Sequence, residues 1–145
     1  KIVQMKKIKF RPVERKDFSE VCILLNQLKE QEVNLDEAEM IWEDFLKNTS
    51  NNAIVGVDEN DFVIAYGSCV IENKIRGEVA GHIEDIVVNK KMRGLNVGVD
   101  LISELVKSAK KRGCYRITLF CRKELINFYS KNGFEVNNVV MKKYL

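Results

Sequence analysis

The chain is predicted to have an α/β fold, with a mixed, mostly antiparallel sheet, a central parallel βαβ unit and helices on both faces. In the first half, strand patterns are joined by short polar turns, which favours antiparallel pairing. From residue 81 to residue 121, a strand, an amphipathic helix and a second strand follow one another. That order requires a parallel pair with a right-handed crossover. The length of 145 residues is that of one domain, and we expect residues 1–145 to form one.

The chain begins with a short predicted strand and two predicted helices. Apolar residues alternate with lysines over residues 8–12, which is typical of a strand. The first helix is predicted to begin at Asp17, because Asp17 and Glu20 have the spacing of a capping box. Its apolar positions are Phe18, Val21, Cys22, Leu25 and Leu28. A second helix is predicted over residues 36–47.

Two strands are predicted, residues 53–57 and 62–71, and the turn sequence DEND (58–61) connects them. A connection this short predicts an antiparallel hairpin. Gly67 inside the second strand indicates a bulge or the close approach of another backbone. A second polar turn, residues 72–78, leads to the next strand.

Residues 81–109 combine an apolar strand, a basic loop and an amphipathic helix, and the remaining elements are predicted to support them. β-Branched residues at positions 83 and 86–88 suit a strand that is covered on both faces. Glu84 and Asp85 interrupt this run. Charges within an apolar strand are unfavourable unless they are paired or used, so these two carboxylates are candidates for chemistry.

The loop at residues 89–98 ends in Gly94, Asn96 and Gly98, where the helix begins. Backbone N–H groups at a helix start have no intrahelical partner, and glycines let a ligand approach them closely. This arrangement predicts an anion site. The alternative is an ordinary turn with solvated lysines. Neither the Walker pattern nor a complete G-x-G-x-x-G occurs in the chain.

The last third supplies the remaining elements. A basic turn followed by Gly113 predicts the end of the central helix. A strand is predicted over residues 115–121, a short helix over 123–132 that is closed by Gly133, and a last strand over 134–141.

Composition excludes several classes of function. The net charge of +3 is small for a nucleic-acid binder, and no apolar stretch approaches the length that spans a membrane. The sequence shows no secretory pattern, so a cytoplasmic location is expected. The four cysteines are scattered, which argues against a zinc site and a disulfide framework, and we expect buried free thiols and no metal.

Four segments carry a resemblance to a known family. Residues 93–98, RGLNVG, resemble the pyrophosphate loop R/Q-x-x-G-x-G/A of the GCN5-related N-acetyltransferases, the GNAT superfamily. GHIEDIVV (81–88), GCYRITL (113–119) and NFYSKNGF (127–134), in that order and spacing, resemble its eukaryotic glucosamine-6-phosphate N-acetyltransferases. The resemblance covers about the last half of the chain.

The resemblance implies a GNAT fold, a homodimer, and direct acetyl transfer from acetyl-CoA to the amine of D-glucosamine 6-phosphate. The product, N-acetyl-D-glucosamine 6-phosphate, serves UDP-N-acetylglucosamine biosynthesis. The implied catalytic residues are Tyr129, Asp85 and Glu84. The implied cofactor-binding residues are Ile86, Val87, Val88, Arg93, Gly94, Leu95, Asn96, Val97, Gly98, Val99 and Tyr129. The implied acceptor-binding residues are Lys74, Glu84, Asp85, Ile86, Tyr115, Arg116 and Lys143.

Tyr129 corresponds to a tyrosine that the resemblance places beside the thioester sulfur as general acid. With reference pKa values of about 10 for tyrosine and about 8.5 for a thiol, full proton transfer is uphill by roughly 2 kcal/mol. A hydrogen bond to the departing thiolate is therefore the preferred role. Taken without the family, Tyr129 is read as a half-buried helix residue.

Glu84 and Asp85 project to opposite faces if their strand is regular. One of them is then expected to contact the sugar while the other is structural, and the family resemblance implies that the Asp85 main-chain carbonyl orients the amine. The alternative is that nearby Lys or Arg side chains pair both carboxylates. His82, the only histidine, is interpreted as a structural residue and not as the general base.

Two residues depart from the family pattern. Phe120 stands where an acidic residue is usual, and Leu125 stands where an asparagine usually touches the pantetheine arm. These departures keep two alternatives open: a GNAT enzyme with another acceptor, such as a polyamine or peptide, and an acyl-CoA-binding domain without turnover.

Overall fold

A computed structural model describes residues 7–145. These residues form one mixed sheet of five strands, together with four α-helices. In chain order the elements are β1 (Lys9–Pro12), α1 (Phe18–Leu25), α2 (Ala38–Lys47), β2 (Asn51–Val57), β3 (Val63–Asn73), β4 (Val79–Val88), α3 (Val97–Lys111), β5 (Arg116–Leu119) and α4 (Ile126–Lys131). The strands lie side by side in chain order. Pairs β1–β2, β2–β3 and β3–β4 are antiparallel and β4–β5 is parallel, which confirms the predicted fold class.

Each face of the sheet has its own apolar cluster. On one face, α3 buries Val97, Leu101, Leu105 and Ala109 against Ile83 of β4 and its neighbours. On the other, α1 contributes Val21 and Leu24 to a cluster with Tyr66 and Val87. In both helices the apolar residues recur at helical spacing, which places them on the side that faces the sheet, as the periodicity predicts.

A β-bulge interrupts the pairing of β3 with β4. Tyr66 pairs with Val87 and Ser68 with Glu84, so Gly67 on β3 faces two residues of β4, Asp85 and Ile86. Asp85 has a left-handed backbone, with φ of 56°. A Cβ at Gly67 would lie 2.6 Å from Cδ1 of Ile86, so a larger residue there would require the Ile86 side chain to move. Of the two alternatives predicted from Gly67, the bulge is confirmed, and the atoms that approach Gly67 belong to side chains, not to another backbone.

The predicted start of α1 is wrong in one respect. Asp17 is not paired with Glu20 in a capping box; the box is formed by Glu14 and Asp17 at the preceding 3₁₀ turn. Asp17 also binds Arg11, while Glu20 accepts a hydrogen bond from the N–H of Val63 at 2.8 Å. Both carboxylates therefore serve tertiary contacts, and α1 ends at Leu25, before Leu28.

The predicted last strand, residues 134–141, is wrong: this segment has no strand conformation in the described structure. Its apolar side chains face solvent, since Val136 is 75% and Val139 is 88% exposed. Asn138 has φ of 54°, which breaks the extended run. A strand needs a neighbouring edge to pair with, and alternation of apolar residues does not supply one.

All four cysteines are free. Cys69 is buried, Cys22 and Cys114 are partly buried, and Cys121 is exposed, so the prediction of buried thiols is wrong for Cys121. Within residues 7–145, no helix is both long and apolar enough to cross a membrane.

Candidate active site

The two parallel strands, β4 and the edge strand β5, part beyond Ile83. Pairing of β4 with β5 runs from Ala80–Arg116 to Ile83–Leu119, where β5 ends, while β4 continues to Val88. Among the described residues, no strand pairs with residues 84–88 on the β5 side. The main chain of this stretch, which includes Ile86, Val87 and Val88, is therefore open to a ligand.

The loop after β4 exposes a row of main-chain donors. Gly94 has φ of 83° and Asn96 has φ of 61°, so the chain enters α3 through two left-handed residues. Asn96 makes no side-chain cap, and the first helical N–H with a carbonyl partner is that of Asp100. No acceptor within residues 7–145 takes a hydrogen bond from the N–H groups of residues 94–99. Unpaired N–H groups at a helix start attract anions.

The same loop has room for a ligand and is anchored from both sides. A Cβ at Gly94 would meet nothing within 4 Å, and one at Gly98 would touch Phe128 of α4 only at 3.4 Å. The N–H of Asn89 donates to the carbonyl of Ile64 at 2.7 Å, and the N–H of Lys90 to Oε1 of Gln27 at 3.2 Å. The loop is thus fixed to β3 and to the end of α1 while its donors stay open. Leu95, Val99 and Arg93 are exposed beside them.

Tyr129 lies on α4 and is 7% exposed, so it is more buried than a half-buried helix residue. Its ring makes edge contacts with Phe128 and Phe134, at centroid distances of 5.0 and 5.9 Å. Burial, with a smaller contribution from Cys121, raises the pKa of Tyr129. The hydroxyl is therefore protonated at neutral pH and acts as a hydrogen-bond donor.

Glu84 and Asp85 lie on the same face of the sheet, and the prediction of opposite faces is wrong. Ile83 and Ile86 both pack on the α3 side, so the two residues between them point to the α1 side. The bulge causes this, because it inserts one residue and breaks the alternation of β4. Partial desolvation and the adjacent Glu84 charge raise the pKa of Asp85. Of the two carboxylates, the described structure pairs only Glu84, and its partner is His82, not Lys or Arg.

Replacing Asp85 with asparagine is expected to raise stability at neutral pH. Because the folded-state pKa is raised, folding favours the neutral carboxyl, and the wild type loses stability as pH rises from about 4 through that pKa. Asparagine tolerates the left-handed backbone and has no charge. We expect a gain below about 1 kcal/mol in urea unfolding at pH 7, because solvent screens the site, and no gain at about pH 3.

Asp61→Asn is a matched control, because Asp61 also has a left-handed backbone, with φ of 63°. Hydrogen bonds from Lys16 and Arg11 lower the pKa of Asp61. The expected change in stability is therefore opposite to that of Asp85→Asn, and Asp61→Asn is expected to lower stability at neutral pH. If Asp85→Asn left stability unchanged or lowered it at pH 7, this would contradict the conclusion that the Asp85 charge is unfavourable in the folded protein.

His82 joins the two parting strands on the same face. Its Nδ1 lies 2.8 Å from Oγ1 of Thr118, and its Nε2 lies 3.4 Å from Oε1 of Glu84. The Phe120 ring tilts against the imidazole at 4.6 Å between centroids. Sequence reasoning missed Thr118; the alternation of Ile117 and Leu119 toward the core was the available signal for it.

The predicted phosphate-binding residues lie at the other end of β4. Arg116 pairs with Ala80, and its Nε donates to the Tyr115 hydroxyl at 2.8 Å. Lys74 lies in the β3–β4 turn, 3.5 Å from the Glu72 carboxylate. Lys143 lies in the exposed C-terminal segment, and within residues 7–145 no salt bridge joins it to another residue.

Comparison with known proteins gives consistent matches. The model of the acetyltransferase (GNAT) family matches residues 18–134. Glucosamine 6-phosphate N-acetyltransferase 1 of Dictyostelium discoideum is 36% identical over 143 residues, covering 95% of this chain and 91% of the relative. The Oryza sativa subsp. japonica protein of that name is 34% identical, covering 94% and 86%. The crystal structure of glucosamine-6-phosphate N-acetyltransferase from Arabidopsis thaliana superposes with a TM-score of 0.88 at 31% identity, covering 96% and 99%.

Proposed function

The chain belongs to the acetyltransferase (GNAT) family, and we propose that it transfers the acetyl group of acetyl-CoA to the amine of D-glucosamine 6-phosphate. Relatives that bear the name of this activity match nearly the whole chain. The observation that carries the proposal is the pair of open main-chain features: the parted edge of β4 and the free N–H groups of residues 94–99.

The acetyl donor fits this pair of features. The N–H groups of residues 94–99 suit a diphosphate, and the left-handed Gly94 leaves space for it. Exposed Lys90, Lys91 and Arg93 add positive charge next to the loop. An extended amide-containing arm can take hydrogen bonds from the unpaired edge at Ile86–Val88 in place of a strand.

The chemical step needs an amine without its extra proton, a polarised thioester and a stabilised thiolate. Acetyl-CoA supplies the activated acetyl group. The main-chain carbonyl of Asp85, released from the ladder by the bulge, orients the amine. The N–H groups beyond it on β4 polarise the thioester carbonyl, and the protonated Tyr129 hydroxyl donates a hydrogen bond to the thiolate.

The acceptor lies along the open face of β4 and β5. Glu84 and Asp85 contact the amino end of the sugar, and Arg116, Tyr115 and Lys74 bind its phosphate. Glu84 lies four positions after Ala80, the partner of Arg116, which is a distance of roughly 13 Å along a strand. The long side chains reduce this distance to about the length of a sugar phosphate. Lys143 adds a cation from the C-terminal segment.

An acceptor-dependent assay tests the function. Purified protein with acetyl-CoA is expected to release thiol when glucosamine 6-phosphate is added. Glucosamine without the phosphate is the matched control. Its KM is expected to be at least tenfold higher than that of glucosamine 6-phosphate, because the charge-assisted contacts to Arg116 and Lys74 are lost. Absence of release with glucosamine 6-phosphate would refute the assignment.

One observation favours a second candidate, a different amine acceptor. Phe120 places an exposed aromatic ring against His82 at the acceptor face, where a carboxylate would favour a cationic sugar. Release with a polyamine or peptide but not with the sugar phosphate would support this candidate. Acetyl-CoA binding without release to any amine would support the acyl-CoA-binding domain without turnover.

We further propose that the protein forms a homodimer through the C-terminal segment, residues 134–145. Its apolar side chains are exposed, and a groove lies between this segment, α4 and the free edge of β5. Exposed apolar patches and free edges mark association surfaces. The cytoplasmic location, the place in UDP-N-acetylglucosamine biosynthesis and the lack of a nucleic-acid partner stay predictions.

Sedimentation equilibrium is expected to give twice the chain mass. Val139→Asp is expected to shift the mass toward that of one chain, because a charge replaces an apolar side chain at the contact. Ile75→Asp, at a fully exposed turn position, is the control and leaves the mass unchanged. A wild-type protein with the mass of one chain at micromolar concentration contradicts the dimer.

A further inference from the structure

The geometry points to His82 as a positioning residue that holds the Glu84 carboxylate toward the acceptor amine, with Thr118 fixing the imidazole from the neighbouring strand. This inference rests on the proposed function and deepens it, because it assigns a role to the histidine that sequence reasoning treated as structural. His82 acts through Glu84 and does not itself touch the reacting atoms.

The two ring nitrogens face groups on different elements. Nδ1 is 2.8 Å from the Thr118 hydroxyl of β5, and Nε2 is 3.4 Å from the Glu84 carboxylate of β4. The Phe120 ring packs against the imidazole at 4.6 Å and restricts its rotation. The imidazole therefore bridges β4 and β5 at the point where their pairing stops, next to the opening between them.

The donor and acceptor chemistry fixes the arrangement of protons. A carboxylate only accepts hydrogen bonds, so Nε2 must carry a proton to hold Glu84. The Thr118 hydroxyl can then donate to Nδ1, which accepts through its lone pair. The neutral ring in one tautomer suits both contacts, and the carboxylate selects that tautomer because the hydroxyl can either donate or accept.

Glu84 needs a partner because of the bulge. Its neighbour Asp85 lies on the same face, and burial together with the adjacent Glu84 charge raises the pKa of Asp85, as expected for two carboxylates side by side. The Glu84 side chain is 53% exposed, so nothing but a specific contact keeps it in one rotamer. Within residues 7–145, the His82 ring carries the only basic nitrogen within 4.0 Å of the Glu84 carboxylate.

Two replacements of His82 separate its two contacts. The amide of asparagine occupies the place of Nδ1, so His82→Asn keeps the Thr118 contact and loses Glu84. The amide of glutamine reaches the place of Nε2, so His82→Gln can still donate to Glu84. We expect His82→Asn to lower kcat/KM for glucosamine 6-phosphate by roughly tenfold, and His82→Gln to lower it by less than about threefold. The KM for acetyl-CoA is expected to stay unchanged in both.

A double-mutant cycle with Glu84→Ala tests whether His82 acts through Glu84. Once the carboxylate is absent there is nothing to position, so adding His82→Asn to Glu84→Ala is expected to change kcat/KM by less than about twofold. If the loss of kcat/KM in the double variant equalled the product of the losses in His82→Asn and Glu84→Ala, the inference would be overturned. An unchanged kcat/KM in His82→Asn would also overturn it. Melting temperatures of all variants, compared with the wild type, identify any loss that comes from unfolding.

Spectroscopy supplies a readout that does not depend on activity. His82 is the only histidine, so ¹H–¹⁵N correlation spectra of the wild-type ring are unambiguous. We expect the tautomer with the proton on Nε2. The Nδ1–H tautomer would overturn the inference. A wild type without acceptor-dependent release would refute the proposed function, whereas an active wild type with independent His82 and Glu84 losses refutes only this inference.

Discussion

Tyr129→Phe is expected to lower kcat by roughly a hundredfold while acetyl-CoA affinity changes by less than about twofold. The phenylalanine ring keeps the edge contacts with Phe128 and Phe134, so binding and packing are preserved. Only the hydroxyl is lost. Burial raises the pKa of Tyr129, which makes the phenol a poorer acid than a free one but keeps it protonated as a donor. The loss therefore measures a hydrogen bond to the leaving thiolate.

Single-turnover thiol release measures the rate of the chemical step, and calorimetry with acetyl-CoA measures the affinity for the acetyl donor. Tyr144→Phe, at an exposed position, removes the same hydroxyl elsewhere and is expected to have no effect on kcat. An unchanged kcat in Tyr129→Phe would remove this residue from the mechanism. A loss of acetyl-CoA affinity in proportion to the loss of kcat would make Tyr129 a binding residue.

Arg11→Met is expected to lower the free energy of unfolding by about 3–5 kcal/mol, because it leaves a buried carboxylate unpaired. Two guanidinium nitrogens bind the two oxygens of Asp17 at 2.7 and 2.9 Å, and Asp17 is 2% exposed. Burial alone would raise the pKa of Asp17, but hydrogen bonds from Arg11 and from the N–H of Glu14 lower it overall. Urea unfolding at pH 7 measures the effect.

The pH dependence has a defined sign. A lowered folded-state pKa contributes stability above the unfolded pKa of about 3.9 and loses it as pH falls, so wild type and Arg11→Met should converge below about pH 4. Arg15→Met is the matched control, because Arg15 also binds a carboxylate, that of Glu39, at 2.6–2.8 Å but on the surface. We expect it to lose less than about 1 kcal/mol. Equal losses in both variants would contradict the role of burial.

The sequence predicts the elements whose signals are local. The stripe of α3, the basic end before Gly113 and the polar turn at 58–61 were all predicted from spacing and turn chemistry, and the structure has them. The parallel β4–β5 pair was predicted because a helix of this length between two strands is typical of a βαβ crossover. The loop at residues 94–99 was predicted because glycines before a helix have a direct consequence for main-chain donors.

The errors arise where tertiary contacts decide. Asp17 has the spacing of an N-cap residue, yet its carboxylate binds Arg11 on another element. Gly67 indicated a bulge, but the sequence could not show that the extra residue falls at Asp85, because this depends on the packing of Ile86. The apolar run after Gly133 resembles a strand in sequence, but within residues 7–145 it pairs with no other strand.

The extra residue in β4 also affects how the protein handles its substrate's proton. Two negative groups on one side of a strand attract an ammonium ion, and its arrival relieves their mutual repulsion. In the proposed acceptor site, these two carboxylates are therefore expected to favour the protonated form of the amine, whereas acyl transfer consumes the unprotonated form. Affinity and speed then respond to pH in opposite directions, so the substrate concentration for half-maximal rate should rise over the same interval in which the maximal rate increases.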